Sequence, residues 1–174
     1  PKRAKIISNY IDHVLALYPF EPPYFHSFGL SCDFVGHPIV SDKIASKDNI
    51  CEFKKKFSLG DAPQILCLPG SRKSEIDKIM PIFGKTLKKF LNVLPSANFI
   101  LPSAPHVYEY SKKYLSCMPE KTFFLTPENI GLEKYIAYKK ASFKIADLAL
   151  AASGTVSLEL AANKTPMVIG YDMN

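Results

Sequence analysis

The chain has 174 residues, 47% of them hydrophobic and 22% charged, with a formal net charge of +6. That length and balance suit a folded domain with a sizeable core and exclude a disordered, highly charged chain. No apolar run reaches the roughly 18 to 20 residues that a membrane-crossing helix requires. Cys32, Cys51, Cys67 and Cys117 form no C-x-x-C pair and have no histidine at zinc-like spacing, so neither a metal site nor a disulfide framework is expected. Cys67 lies in an apolar run and reads as a buried thiol. The chain begins at Pro1 and stops at Asn174 soon after a strand-like run with no closing helix; a segment of a larger protein is expected.

The first part of the chain has no regular rhythm. Residues 13–17 read as a strand, 19–28 as a proline- and aromatic-rich turn or short helix, and 33–38 as a strand leading into a turn. The polar stretch 41–49 is the best candidate linker, which places a domain boundary near residue 42 and divides the chain into 1–42 and 43–174.

From Gln64 onward strands and helices alternate. Residues 65–68 form a short apolar run. Residues 75–94 follow with Ile76, Ile79, Met80, Phe83, Leu87, Phe90, Leu91 and Leu94 on one helical face. Residues 98–101 read as a strand, 106–117 as a helix, 122–125 as a strand, 133–146 as a helix, 147–151 as a strand, 156–162 as a helix and 167–171 as a strand. Such alternation predicts an α/β fold, a Rossmann-like doubly wound parallel sheet whose ligands bind beyond the carboxyl ends of the strands.

Two glycine-centred turns stand at such ends. Leu68-Pro69-Gly70-Ser71-Arg72 leads into one helix, with Ser71 as the expected N-cap and Arg72 projecting from the first turn. Ala152-Ser153-Gly154-Thr155 leads into another, with Glu159 one turn further along on the face of Thr155. Unpaired N–H groups at a helix start attract a phosphate, Arg clamps it with a planar fork, and a carboxylate such as Glu159 can accept from both ribose hydroxyls. Plainer readings make Ser71 an ordinary cap, pair Arg72 with Glu75 or Glu52, and leave Glu159 solvated, although its neighbours are apolar. Neither turn matches a P-loop or G-x-G-x-x-G, and no G-x-S-x-G elbow exists. The pattern suits a nucleotide diphosphate whose departure is the chemistry.

The basic clusters Lys54-Lys55-Lys56, Lys88-Lys89, Lys112-Lys113 and Lys139-Lys140 read as solvated faces, or as attraction to a polyanion or an anionic membrane surface. Most aromatics fall in apolar stripes and not on a basic platform, so nucleic acid is not an expected partner. His13, His26 and His106 have no recognisable acidic partner, and His37 is read as fixing the Gly36-His37-Pro38 turn.

These residues together resemble a known family. Leu15-Ala16-Leu17-Tyr18-Pro19-Phe20-Glu21, Phe34-Val35-Gly36-His37-Pro38, Leu68 to Ile76, Ala146 to Leu160, and Pro166-Met167-Val168-Ile169-Gly170-Tyr171 are similar, in order, to segments of lipid-A-disaccharide synthase, a GT-B glycosyltransferase. The resemblance implies that 1–42 ends an acceptor-binding domain and that 43–174 is an incomplete UDP-sugar-binding domain. It implies transfer of 2,3-diacylglucosamine from UDP-2,3-diacylglucosamine to 2,3-diacylglucosamine 1-phosphate (lipid X), forming a β-1′,6 bond and releasing UDP. Arg72 would stabilise the leaving group, Gly70, Ser71, Ser153, Gly154 and Thr155 would hold the diphosphate, and Glu159 the ribose. No cofactor or metal is expected, and the enzyme is expected in the cytoplasm, attached peripherally to the inner membrane of a Gram-negative bacterium. The general base is expected in the amino-terminal half that this chain lacks, so the chain alone is expected to bind UDP weakly and not to turn over. A nucleotide-sugar epimerase of GT-B form and a non-catalytic nucleotide-binding module are the alternatives.

Overall fold

A computed structural model describes residues 2–42 and 44–171, without the side chain of Lys2. The chain divides into two compact units, Pro1–Asp42 and Lys43–Asn174.

The first unit contains α1 (Lys2–Ile7), β1 (His13–Ala16), α2 (Pro22–His26), β2 (Ser31–Phe34) and a 3-10 turn, Pro38–Ser41. β1 and β2 pair in parallel, His13 opposite Ser31 and Ala16 opposite Phe34. Its core is small, formed by Ala4, Ala16, Leu30 and Cys32. His37 is extended and caps the 3-10 turn, its Nδ1 accepting from the Ile39 N–H at 3.1 Å, which is a structural task of the kind expected for it. His13 was expected to lack an acidic partner, but its Nε2 lies 3.1 Å from Asp33 Oδ2. The parallel pairing of β1 and β2 brings these two together across the chain.

The second unit holds α3 (Lys47–Lys56), β3 (Gln64–Leu68), α4 (Lys73–Val93), β4 (Asn98–Pro102), α5 (Pro105–Ser111) and a 3-10 helix, Lys112–Cys117. β5 (Thr122–Leu125), α6 (Pro127–Ile130), α7 (Leu132–Ile145), β6 (Leu148–Ala152), α8 (Val156–Ala162) and β7 (Met167–Gly170) complete it. All five strands are parallel, in the order β5-β4-β3-β6-β7. This is the predicted α/β architecture with a Rossmann-like sheet.

Helices cover both faces of the sheet, so β3 and β4 are buried along their whole length, as parallel central strands are. The two-residue period of a strand then sorts their side chains. Leu66, Leu68 and Ile100 pack with Phe53, Tyr138, Phe143 and Leu160 on the face of α3, α7 and α8. Ile65, Cys67, Phe99 and Leu101 pack with Ile76, Ile79, Met80, Phe83 and Leu87 of α4 on the other. Burial drives the Cys67 thiol pKa up and keeps the group a neutral hydrophobe.

Two local expectations are corrected. Residues 47–49 of the expected linker belong to α3, whose N-cap Ser46 accepts from the Asn49 N–H at 3.2 Å. The helix expected over 106–117 is α-helical only to Ser111 and continues as a 3-10 helix. There the chain presses close to α4: a Cβ on Gly84 would lie 2.4 Å from the Cys117 carbonyl oxygen. Residues 172–174, beyond the expected last strand, lie outside the described part.

Candidate functional site

The strand order locates the site. From central β3 the chain winds outward through β4 and β5, then returns through α7 to β6 on the other side of β3. The winding direction reverses between β3 and β6, and the crevice beyond the carboxyl ends at such a reversal is where open α/β sheets bind ligands. Leu68 is the register partner of Ala151, so both glycine turns leave the sheet side by side. Gly70, Ser71, Arg72, Ser153, Gly154, Thr155 and Glu159, widely separated in sequence, line a single cleft of about 360 Å³.

At the first turn Gly70 has φ +111°, a conformation that glycine takes with little strain. Arg72, not Ser71, is the N-cap: it is extended at φ −112°, ψ 146°, and its carbonyl accepts the first helical bond from the Ile76 N–H at 3.0 Å. Ser71 stands one residue too early to cap. Glu75 does the capping from within the helix. Its Oε2 accepts from the Ser71 and Arg72 N–H groups at 2.9 and 3.2 Å, and its Oε1 accepts from the Arg72 guanidinium at 2.8 Å. Of the plainer partners considered for Arg72, the structure therefore selects Glu75; Glu52 instead pairs with Lys134 at 2.7 Å. His106 of α5 holds the turn from outside, its Nε2 2.9 Å from the Ser71 carbonyl oxygen. Since a carbonyl only accepts, the proton sits on Nε2.

At the second turn Ser153 is tied to β7 by its N–H, which donates to the Gly170 carbonyl at 3.1 Å. Thr155 is already αR (φ −60°, ψ −24°) and makes no side-chain cap. Among the described residues the N–H groups of Gly154 and Thr155 find no protein acceptor, and a Cβ on Gly154 would meet nothing within 4 Å. The turn therefore offers open donors. α8 is only seven residues long, so its macrodipole is weak and the local N–H groups matter more than the helix behind them.

Glu159 is not the lone carboxylate its apolar neighbours suggest. Lys139 Nζ donates to its Oε2 at 2.9 Å, with both side chains about one-third exposed, at 33% and 31%. Lys139 and Tyr135, one turn apart on α7, line the same cleft. Burial, with Glu159 and Glu128 adding to it, pushes the Tyr135 phenol pKa up and keeps it protonated. Sequence reasoning missed both residues: their i, i+4 spacing marks one face of a helix, but nothing in it says that the face meets the cleft.

Among the described residues, no cluster of three or more His, Cys, Asp or Glu side chains is placed to hold a metal ion. None of the described helices is long and apolar enough to cross a membrane.

The sequence model of the family described as lipid-A-disaccharide synthetase matches residues 1–174. The chain belongs to that family. A lipid-A-disaccharide synthase of Ruegeria pomeroyi is 45% identical over 174 residues, covering 100% of the chain and 43% of the relative. The chain thus spans less than half the length of this family member. Among solved structures, a putative UDP-N-acetylglucosamine 2-epimerase from Listeria monocytogenes shares the fold, with a TM-score of 0.65 at 14% identity over 94% of this chain and 43% of that one. A structure described as an S. aureus MnaA-UDP co-structure superposes with a TM-score of 0.62 at 18% identity, over 95% of this chain and 43% of that one. At such identities these two show the fold alone.

Proposed function

We propose that this chain supplies the nucleotide-binding half of a glycosyltransfer site. It takes UDP-2,3-diacylglucosamine as donor and serves transfer of the sugar to lipid X, giving the β-1′,6-linked disaccharide 1-phosphate and UDP. Family membership over residues 1–174 supports the reaction class. The observation that carries the residue roles is the meeting of the two turns at the β3/β6 reversal, with an arginine on one side and unpaired N–H groups on the other.

In this reading the Gly154 and Thr155 N–H groups, with Ser153, receive the diphosphate. Arg72 faces the phosphate that gains charge as the sugar C1–O bond breaks. Each charge-assisted bond is worth about 1.5 to 3 kcal/mol, and donors fixed in advance stabilise the departing UDP without reorganising. Glu159, steadied by Lys139, accepts from the ribose hydroxyls. The base that deprotonates the acceptor hydroxyl is assigned to the part of the enzyme outside this chain.

Both substrates carry acyl chains, so the enzyme works at a membrane surface, on the cytoplasmic side in this reading. Not every basic cluster is available for that surface. Lys112, Lys113, Lys134 and Lys139 are committed to carboxylates, whereas Lys54, Lys55 and Lys56 are exposed at the end of α3 and suit anionic lipid.

The test is a titration of the chain with UDP, followed by incubation with UDP-2,3-diacylglucosamine and lipid X in detergent micelles. Binding of UDP without disaccharide formation is expected. Failure to bind UDP would overturn the nucleotide assignment, and disaccharide made by this chain alone would overturn the placing of the base elsewhere.

A further inference from the structure

The first glycine turn already holds an anion, and that anion belongs to the protein. The Glu75 carboxylate accepts from the Ser71 and Arg72 N–H groups and from the Arg72 guanidinium. It occupies the two turn amides that lead into α4, a 21-residue helix that begins one residue later at Lys73. The turn is shaped around it: a Cβ on Gly70 would lie 2.4 Å from Glu75 Oε2 and 2.8 Å from Glu75 Cβ, so glycine is demanded there by the folded-back carboxylate as well as by φ. The side chain is 29% exposed, against 79% for Arg72. The carboxylate is therefore packed into the turn while the guanidinium reaches into solvent from it.

We propose that Glu75 is a resident anion that closes the Ser71 and Arg72 turn amides to ligand phosphate and positions Arg72. On the proposed UDP reading, on which this rests, the two turns are not equivalent anion sites. The ligand diphosphate lies on the Gly154 side and meets only the donors of Arg72 that Glu75 leaves exposed. It also meets a fixed negative charge, which holds UDP affinity down and favours release of UDP once transfer is complete. Glu75 is thus a positioning residue acting through Arg72 and through its own charge.

The experiment compares the wild-type chain with Glu75→Gln, which keeps an acceptor near the turn amides but removes the charge. Calorimetric titration uses UDP and, separately, uridine. UDP affinity is expected to rise about threefold or more in Glu75→Gln, the size of one like-charge interaction near the surface, with uridine affinity unchanged. A merely structural role for Glu75 would move both ligands together, and downward. A second measurement needs no variant. When the wild-type chain is titrated with UDP and followed by amide chemical shifts, Gly154 and Thr155 are expected to move while Ser71 and Arg72 stay in place. Should Glu75→Gln fail to fold, these shifts decide. UDP binding that is equal or weaker in Glu75→Gln, or Ser71 and Arg72 amides that move as far as Gly154, would overturn this inference alone. A wild-type chain that binds no UDP would overturn the nucleotide reading and this inference with it.

Discussion

Leu68 and Ala151 stand opposite each other in β3 and β6, and the residues that follow them leave the sheet toward opposite faces. α4 packs through Ile76 and Ile79 against one side, α8 through Leu160 against the other. The crevice between the turns follows from that divergence. It holds cationic Arg72 and Lys139, anionic Glu75 and Glu159, and the open N–H groups of Gly154 and Thr155.

Lys139→Met separates the two tasks open to an ion pair that is one-third exposed. Pairs of this exposure contribute at most about 1 kcal/mol to stability, so the melting temperature is expected to stay within about 3 °C. UDP affinity is expected to fall about threefold to tenfold, because Glu159 loses its anchor and the cleft loses a positive charge. Unchanged affinity would reduce the Lys139–Glu159 contact to a surface pair.

Asp77 gives the fold a pH dependence. It accepts from Tyr110 and Tyr114 and pairs with Lys113 at 3.0 Å. The Tyr110 bond first, then Tyr114 and Lys113, hold its carboxyl pKa at about 2. A pKa lowered by folding means that the unfolded chain takes up the proton more readily. The contribution is therefore complete above about pH 4 and is lost as pH falls through about 2. Urea midpoints of wild type and Asp77→Asn are expected to differ most at pH 6 and to converge toward pH 2. A gap that widens on acidification would contradict this account.

Gly84→Ala tests the contact of α4 with the 3-10 helix. Alanine is the better helix former by about 1 kcal/mol, but its Cβ would stand 2.4 Å from the Cys117 carbonyl oxygen, and a backbone carbonyl yields less readily than a side chain. Overpacking costs about 1 to 3 kcal/mol, which outweighs that gain by up to about 2 kcal/mol, so a fall in melting temperature of up to about 6 °C is expected. A rise would mean that the 3-10 helix gives way freely.

The strands and helices from Gln64 onward are legible in the sequence because each buries a full face, which forces apolar residues into periods of two or 3.6. α3 is not. Lys47–Lys56 buries only Phe53 completely, its last turn is three lysines, and its apolar side is reduced to Ile50 and Phe53 with Phe57 at the C-cap, so its stripe is short and easily overlooked. Its helix is held by tertiary contacts, Phe53 lying against Tyr138 with ring centroids 5.3 Å apart. The cleft divides in the same way. Arg72, Ser153 and Glu159 stand beside glycine turns whose chemistry is local and therefore visible. Lys139, Tyr135 and His106 reach the turns from other elements, and only the packing of α7 and α5 brings them there. Glu75 was visible as a partner for Arg72, but its grip on the turn amides depends on the left-handed φ of Gly70, which the sequence does not display.

Arg72 is proposed to serve the phosphates and Glu159 the ribose of one nucleotide in this cleft. Titration of wild type, Arg72→Ala and Glu159→Ala with UDP and with uridine tests it most directly. Arg72→Ala is expected to weaken UDP about tenfold or more, from the loss of one charge-assisted bond, and to leave uridine unchanged. Glu159→Ala is expected to weaken both. If Arg72→Ala binds UDP as tightly as wild type does, or if Glu159→Ala leaves uridine binding intact, the assignment is wrong.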